Sequence, residues 1–283
     1  MISGTRYQLQ REVNQQIRLA TEIARAQAEI SAGGKRILSP SDDPVGAARI
    51  ADITRAQANQ GTWKSNLNVA AALASNAEGV LDSLSSTFNR VNELMLSVSN
   101  GTLSKEDRAA VALELESIAE EVAVLRDTRD SRGQALFPAA SASIRIPVGP
   151  DLDIAAVGTR DAVFDGVATA GGVRSLSAIL NAAVTAVRSN NPAAIQSALA
   201  DTNAAATHVI ASHAEQGSRG ARIDSLLERI QTNAVDLQAE RSTIESSDIT
   251  QLVATIQARQ LSLDAAQATF ARINRSTLFD LLS

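Results

Sequence analysis

Ile249-Thr-Gln-Leu-Val-Ala-Thr-Ile-Gln-Ala-Arg-Gln-Leu-Ser-Leu-Asp-Ala-Ala-Gln-Ala-Thr-Phe-Ala-Arg-Ile273 decides the fold of this chain. Within it Ile249, Leu252, Ile256, Arg259, Leu263, Ala266, Phe270 and Ile273 step by 3, 4, 3, 4, 3, 4 and 3. Such spacing marks the seam of a coiled coil. The opposite end carries the same signature: Leu9, Val13, Gln16, Ala20, Ile23, Gln27 and Ile30 step by 4, 3, 4, 3, 4 and 3. Neither end holds enough apolar surface to fold by itself, so the two ends are predicted to pack on one another or on further copies of the chain. Gln16, Gln27 and Arg259 on these seams suit an interface whose polar positions set register.

Between the ends the chain reads as long helices. Residues 3–31 form the first, closed by Gly33-Gly34. Asp43 can cap the next and Pro44 can take its first position, where a missing N–H costs nothing. That second helix is predicted over 44–98, with Leu67, Ala70, Ala74, Ala77, Leu81, Leu84, Phe88, Val91, Met95 and Val98 on one stripe. At 1.5 Å per residue it would be a rod of roughly 80 Å. Asn100-Gly101 breaks it. Ser104-Lys-Glu-Asp107 is a capping box with Asp at its last position, and it opens a helix over 104–130. Beyond Gly133 the pattern changes: Ile144, Ile146 and Val148 alternate, then Leu152 and Ile154 after Gly149-Pro150, which reads as a small β-hairpin. Helices return over 175–189 and 192–215. Gly217-Ser-Arg-Gly220 is expected to interrupt, with further helices over 221–245 and from Ser247-Asp248 to about 275.

The predicted fold is therefore mainly α: a long-helix hairpin with terminal coiled coils and a small β-containing outer domain inserted in the middle. Its parts are an N-terminal assembly helix and loop (1–43), an outgoing helical rod (44–132), the outer segment (133–174), a returning rod (175–246) and a C-terminal assembly helix (247–283). Because the chain goes out and comes back, its ends should meet.

Composition excludes several classes of function. The 283 residues include 2% aromatics, one Trp and one Tyr, which suits slim Ala- and Leu-rich helices better than a compact enzyme core. A formal net charge of −5 argues against a nucleic-acid footprint, which needs clustered cations. There is no Cys, so disulfides and thiolate sites are excluded. No run of about 18 apolar residues exists to cross a membrane, and the first residues lack the basic and apolar regions of a cleaved signal peptide. His208 and His213 are five apart and fall on different helix faces, unlike an i, i+4 zinc pair. Asp42 and Asp43 read as caps, and Asp151 and Asp153 as loop acids. Gly33-Gly34-Lys35 lacks phosphate-loop spacing. No catalytic, cofactor-binding or metal residues emerge, and the expectation is of a protein that is not an enzyme and uses no cofactor.

Ser31-Ala-Gly-Gly-Lys-Arg-Ile-Leu-Ser-Pro-Ser-Asp-Asp-Pro-Val-Gly-Ala-Ala48 resembles the N-terminal signature of bacterial flagellins and flagellin-like hook-associated proteins. One extra glycine precedes Lys35. Ser99-Asn-Gly-Thr-Leu-Ser-Lys-Glu-Asp-Arg108 is similar to a turn in the third hook-associated protein, at the hook–filament junction. Ser276-Thr-Leu-Phe-Asp-Leu-Leu-Ser283 resembles the family's apolar C-terminal end. A junction-type segment is matched only in part by Arg132-Gly-Gln-Ala-Leu-Phe137-Pro138. The resemblance covers about 1–137 and 220–283. It implies a structural subunit, filament flagellin or junction protein, that lies outside the cell and is exported unfolded through the flagellum's own channel. It implies partners that are other copies, neighbouring flagellar proteins and a secretion chaperone, with no nucleic acid and no membrane insertion. Lys35, Arg36, Ser41, Asp42, Asp43 and Pro44 carry the family turn. Leu9, Val13, Ala20, Ile23, Ile30, Ile249, Leu252, Ile256, Leu263, Phe270 and Ile273 form the expected assembly interface. Two other readings fit the residues: a surface module whose segment 137–173 binds a glycan or host protein, and an intracellular coiled-coil adaptor.

Overall fold

The computed structural model describes residues 2–140 and 144–280, leaving aside the side chains of 2–6, 8, 9 and 273–280. In order, the chain forms α1 (Ile2–Ser31), α2 (Pro44–Ser99) and α3 (Lys105–Arg126), then β1 (Ile146–Gly149) and β2 (Leu152–Ile154). A π-helical turn (Asp161–Asp165), β3 (Val167–Thr169) and β4 (Gly172–Arg174) follow, and α4 (Leu176–Ser189), α5 (Pro192–Glu245) and α6 (Ile249–Asp280) complete it. The mainly α fold with a small β segment is as the sequence predicts. The chain divides into two compact units, Asn59–Asn233 on the one hand and Met1–Ala58 with Ala234–Ser283 on the other.

The middle unit owns the core. Every residue of the predicted α2 stripe from Leu67 to Val98 is buried. Leu115 and Val122 of α3, Ile179, Leu180 and Val187 of α4, and Ala205 and Val209 of α5 are buried completely as well. The three-four stripe closes because several helices surround it. Local signals set the helix ends. The Ser104 side chain accepts from Asp107 N–H while the Asp107 carboxylate accepts from the Ser104 N–H, the predicted capping box. Ser175 caps α4, and Asn190 ends it in the left-handed region at φ 50°. Asn191 Oδ1 then accepts from Ala193 N–H at 3.0 Å to open α5 at Pro192.

Two expectations fail. Gly217-Ser-Arg-Gly220 does not interrupt: α5 runs unbroken from Pro192 to Glu245. Buried Gln216 and Ile223 flank the glycines and hold the helix to its neighbours, which outweighs the roughly 1 kcal/mol that each glycine costs. Gly220 has a use there. A Cβ at that position would sit 3.1 Å from Glu78 Oε1, so the missing side chain leaves room for the carboxylate that α2 lays against α5. The helix predicted over 104–130 also ends early, at Arg126.

The outer segment holds the predicted hairpin, with Ile146 opposite Ile154 in an antiparallel ladder. It also holds a second hairpin, Val167–Thr169 against Gly172–Arg174, that the alternation rule does not reveal. Phe137 and Phe164 meet edge to face, ring centroids 5.2 Å apart, and both are buried. Polar groups of α5 fasten the segment from beneath. Gln216 Nε2 donates to Ala156 O at 2.9 Å, and Arg174 pairs with Asp201 at 2.7 Å.

Candidate assembly surface

The terminal unit is built on α1 and α6, which pack antiparallel. Arg259 meets Glu22 at 3.1 Å, and Ser247 Oγ reaches Glu29 Oε2 at 3.3 Å. On α6 six of the expected positions share one partly covered face. Leu252, Ile256, Arg259, Leu263, Ala266 and Phe270 are all half-buried, while Ile249 is 47% exposed. On α1 half of the seam moves by one residue. Gln16, Ile23 and Ile30 keep their places, but Glu12, Leu19 and Ala26 take the positions expected of Val13, Ala20 and Gln27, all of which lie exposed. The reason is that α1 carries two apolar stripes. Leu19, Ile23 and Ala26 face α6, while Val13, Ile17, Ala20 and Ala24 make a neighbouring ridge that spacing alone cannot distinguish from the seam. Leu9 and Ile273 lie outside the described side chains.

This pair is poorly closed. Of its described seam residues only Ile23 and Ala26 are buried, with Glu29 beside them. Ile17 stays 58% exposed and Leu261 72% exposed. A two-helix contact shields one side of each seam residue and leaves the other to solvent, so the apolar area it removes from water is small.

The family-turn residues knit the junction beneath the pair. Gly33 and Gly34 adopt φ +75° and +80°, ending α1 in the left-handed region. Gly34 N donates to Glu29 O at 2.8 Å, and its own carbonyl accepts from Ser247 N at 2.7 Å. Lys35 bridges Ser246, and Arg36 N donates to Glu245 O at 2.7 Å. The break between α5 and α6 is thus tied to the loop between α1 and α2. Asp42 Oδ2 accepts from Ser39 N–H at 2.8 Å and Leu38 N–H at 3.1 Å. Those bonds, Ser39 foremost and with Arg25 adding attraction, hold its carboxyl below the ordinary aspartate value. Asp43 Oδ1 accepts from Gly46 N–H at 2.9 Å and caps α2, which starts at Pro44 as predicted. Asp43 also faces Arg36 at 3.4 Å, and Ser41 Oγ meets Ser39 Oγ at 2.6 Å. Arg49 grips Glu240 with two bonds, at 2.6 and 2.8 Å, raising its own pKa and lowering that of the glutamate.

Sequence reasoning missed Ile17 and the ladder partners Glu245, Ser246 and Ser247. A second three-four count along α1 finds Ile17. No sequence signal announces a backbone ladder. His208 Nε2 lies 3.2 Å from Val163 O against the outer segment, and among the described residues no group of His and acids could hold a metal ion. None of the helices among the described residues is long and apolar enough to cross a membrane.

Residues 6–142 match the family model described as the bacterial flagellin N-terminal helical region. The chain is 24% identical over 285 residues to flagellar hook-associated protein 3 of Escherichia coli strain K12, covering 88% of this chain and 89% of that protein. It is 26% identical over 251 residues to a flagellin of Halalkalibacterium halodurans, covering 86% and 85%. In structure it is similar to a flagellar hook-associated protein of Vibrio parahaemolyticus, with a TM-score of 0.64 at 19% identity over 72% of this chain and 100% of that one. It is also similar to the flagellar junction protein FlgL of Legionella pneumophila, with a TM-score of 0.57 at 15% identity over 70% and 100%. At these identities the structural likeness is one of fold.

Proposed function

We propose that this chain is a structural component of the flagellum, of the family of bacterial flagellins and flagellar hook-associated protein 3, with its place at the hook–filament junction. The observation that carries the junction reading is a sequence match that runs nearly end to end through a hook-associated protein 3. A match of similar extent to a flagellin keeps the filament subunit as the second reading.

The mechanism is polymerisation. The half-buried seam of α1 and α6, with the exposed ridge Val13, Ile17 and Ala20, buries against neighbouring subunits, and each Å² of apolar area removed from water contributes about 25 cal/mol. The interface residues are Val13, Ala20, Ile23, Ile30, Ile249, Leu252, Ile256, Leu263 and Phe270, joined by Leu9 and Ile273 from the sequence pattern. Apolar helices of this kind need shielding before they reach the growing end. The reading therefore includes a secretion chaperone and export through the flagellar channel.

Electron microscopy of the purified full-length protein in polymerising salt tests the assignment. A junction protein forms no long tubes by itself and adds to isolated hooks as a short collar. Long self-grown tubes would assign it to the filament instead.

A further inference from the structure

We propose that the backbone ladder between Gly34–Arg36 and Glu245–Ser247 is the register stop of the terminal helix pair. The seam itself is a weak ruler. Its positions recur every seven residues on both helices, so a slide by one heptad again sets seam against seam, and only the partly covered polar residues Glu12, Gln16 and Arg259 mark one register from the next. The Glu22–Arg259 pair is its one cross-helix ion pair among the described residues, and its side chains keep 49% and 38% of their surface in solvent. An exposed pair of that kind contributes about 0 to 1 kcal/mol, too little to select a register.

The ladder lies just beyond the seam and has no such degeneracy. Ser247 N donates to Gly34 O at 2.7 Å and Arg36 N to Glu245 O at 2.7 Å, with Lys35 and Ser246 opposite one another between them. Ser247 sits two residues before α6 begins, and Gly34 three residues after α1 ends. Side chains guard the same point. Gly34 has no Cβ, and one would stand 3.1 Å from Ile249 Cγ1, so the first residue of α6 seats against the glycine. Gly33 is the natural contrast, with similar φ and nothing within 4 Å of its would-be Cβ. The connection from Ala32 to Asp43 is 12 residues long, a length whose extended span exceeds the roughly 10 Å of a one-heptad slide.

The consequence for assembly rests on the proposed function, because neighbours can only match a seam whose two halves are in fixed register. The ladder's own role is read within one chain, so it can fail or hold independently of where the subunit sits in the flagellum.

The absence of cysteine makes the test direct. Nitroxide labels are placed by Thr21→Cys and Ala271→Cys, two exposed positions offset along the pair. Double electron–electron resonance is recorded on the full-length chain in trimethylamine oxide, which favours the paired state. With the ladder intact we expect one paired distance. Ser247→Pro, which removes the N–H that donates to Gly34, should add a second population displaced by one heptad, about 10 Å along the pair axis. Arg36→Pro removes the other rung and should do the same. Glu22→Gln, which removes the seam ion pair, should leave the single distance. Far-UV circular dichroism confirms that the helices of each variant persist. A single unshifted distance in both proline variants would overturn the proposal. So would a second population in Glu22→Gln, or no paired distance with the ladder intact.

Discussion

The middle of α2 and the terminal pair use one rule and reach opposite ends. From Leu67 to Val98 a three-four stripe is buried throughout, because α3, α4 and α5 supply partners to the same core. From Leu252 to Phe270 an equally regular stripe stays half-exposed, because among the described residues α1 is the helix packed against it. Spacing therefore states which face of a helix is apolar, and the number of neighbours states how dry that face becomes. A seam left half-wet inside one chain has apolar surface left over, and under the proposed function a neighbouring subunit covers it.

The contrast can be broken most severely at its closed end. Phe88→Ala removes a fully buried ring from the middle unit and should cost about 3–5 kcal/mol, read as a lower urea midpoint. At the open end, Leu263→Ala should lower the stability of the free chain by less than about 1 kcal/mol, since its side chain is only half-buried. The same change should abolish assembly, seen as loss of sedimenting polymer. If Leu263→Ala destabilised the free chain as much as Phe88→Ala does, the two regions would not differ in kind. Ser104→Ala deletes the cap of α3 in the middle unit and should cost about 1 kcal/mol in thermal or urea unfolding while leaving assembly intact.

The smallest effect is electrostatic. Asp42 and Glu240 in the terminal unit, and Asp127 and Asp130 in the middle one, all have carboxyl pKa values below their ordinary ones. The causes differ in order. Ser39 N–H leads at Asp42, Arg49 at Glu240, Arg126 at Asp127 and Gln134 N–H at Asp130. A lowered folded value stabilises the ionised form. Its contribution is therefore fully present above the ordinary carboxylate values of 3.8 and 4.5 and is lost as pH falls through the lower folded values. A melting temperature that falls modestly on acidification below about pH 4.5, in Asp130→Asn less than in the parent, is the expected record.

Much of this was legible in the sequence because the deciding signals are local. Pro44 and Pro192 open helices, Ser104 and Asp107 cap one, Gly33-Gly34 close another, and the α2 stripe needs only counting. The misses share a cause in tertiary structure. Gly217 and Gly220 read as a break, but flanking buried residues and the close approach of Glu78 keep α5 whole. The seam of α1 sits one residue away from the expected place at half its described positions, because a three-four count runs through Val13 and Ala20 as regularly as through the Leu19 and Ala26 that face α6. The hairpin of β3 and β4 is three residues a side around Gly172, too short for alternation to register. The ladder of Gly34–Arg36 with Glu245–Ser247 is made by main-chain atoms, which every sequence possesses.

Hydrogen exchange on the full-length protein, compared between the dilute monomer and the assembled state, tests the central claim most directly. Amides of 10–31 and 249–272 should exchange rapidly in the monomer and slow sharply on assembly, while those of the α2 stripe from Leu67 to Val98 stay protected in both. Terminal helices as well protected in the dilute monomer as the α2 stripe would contradict the account.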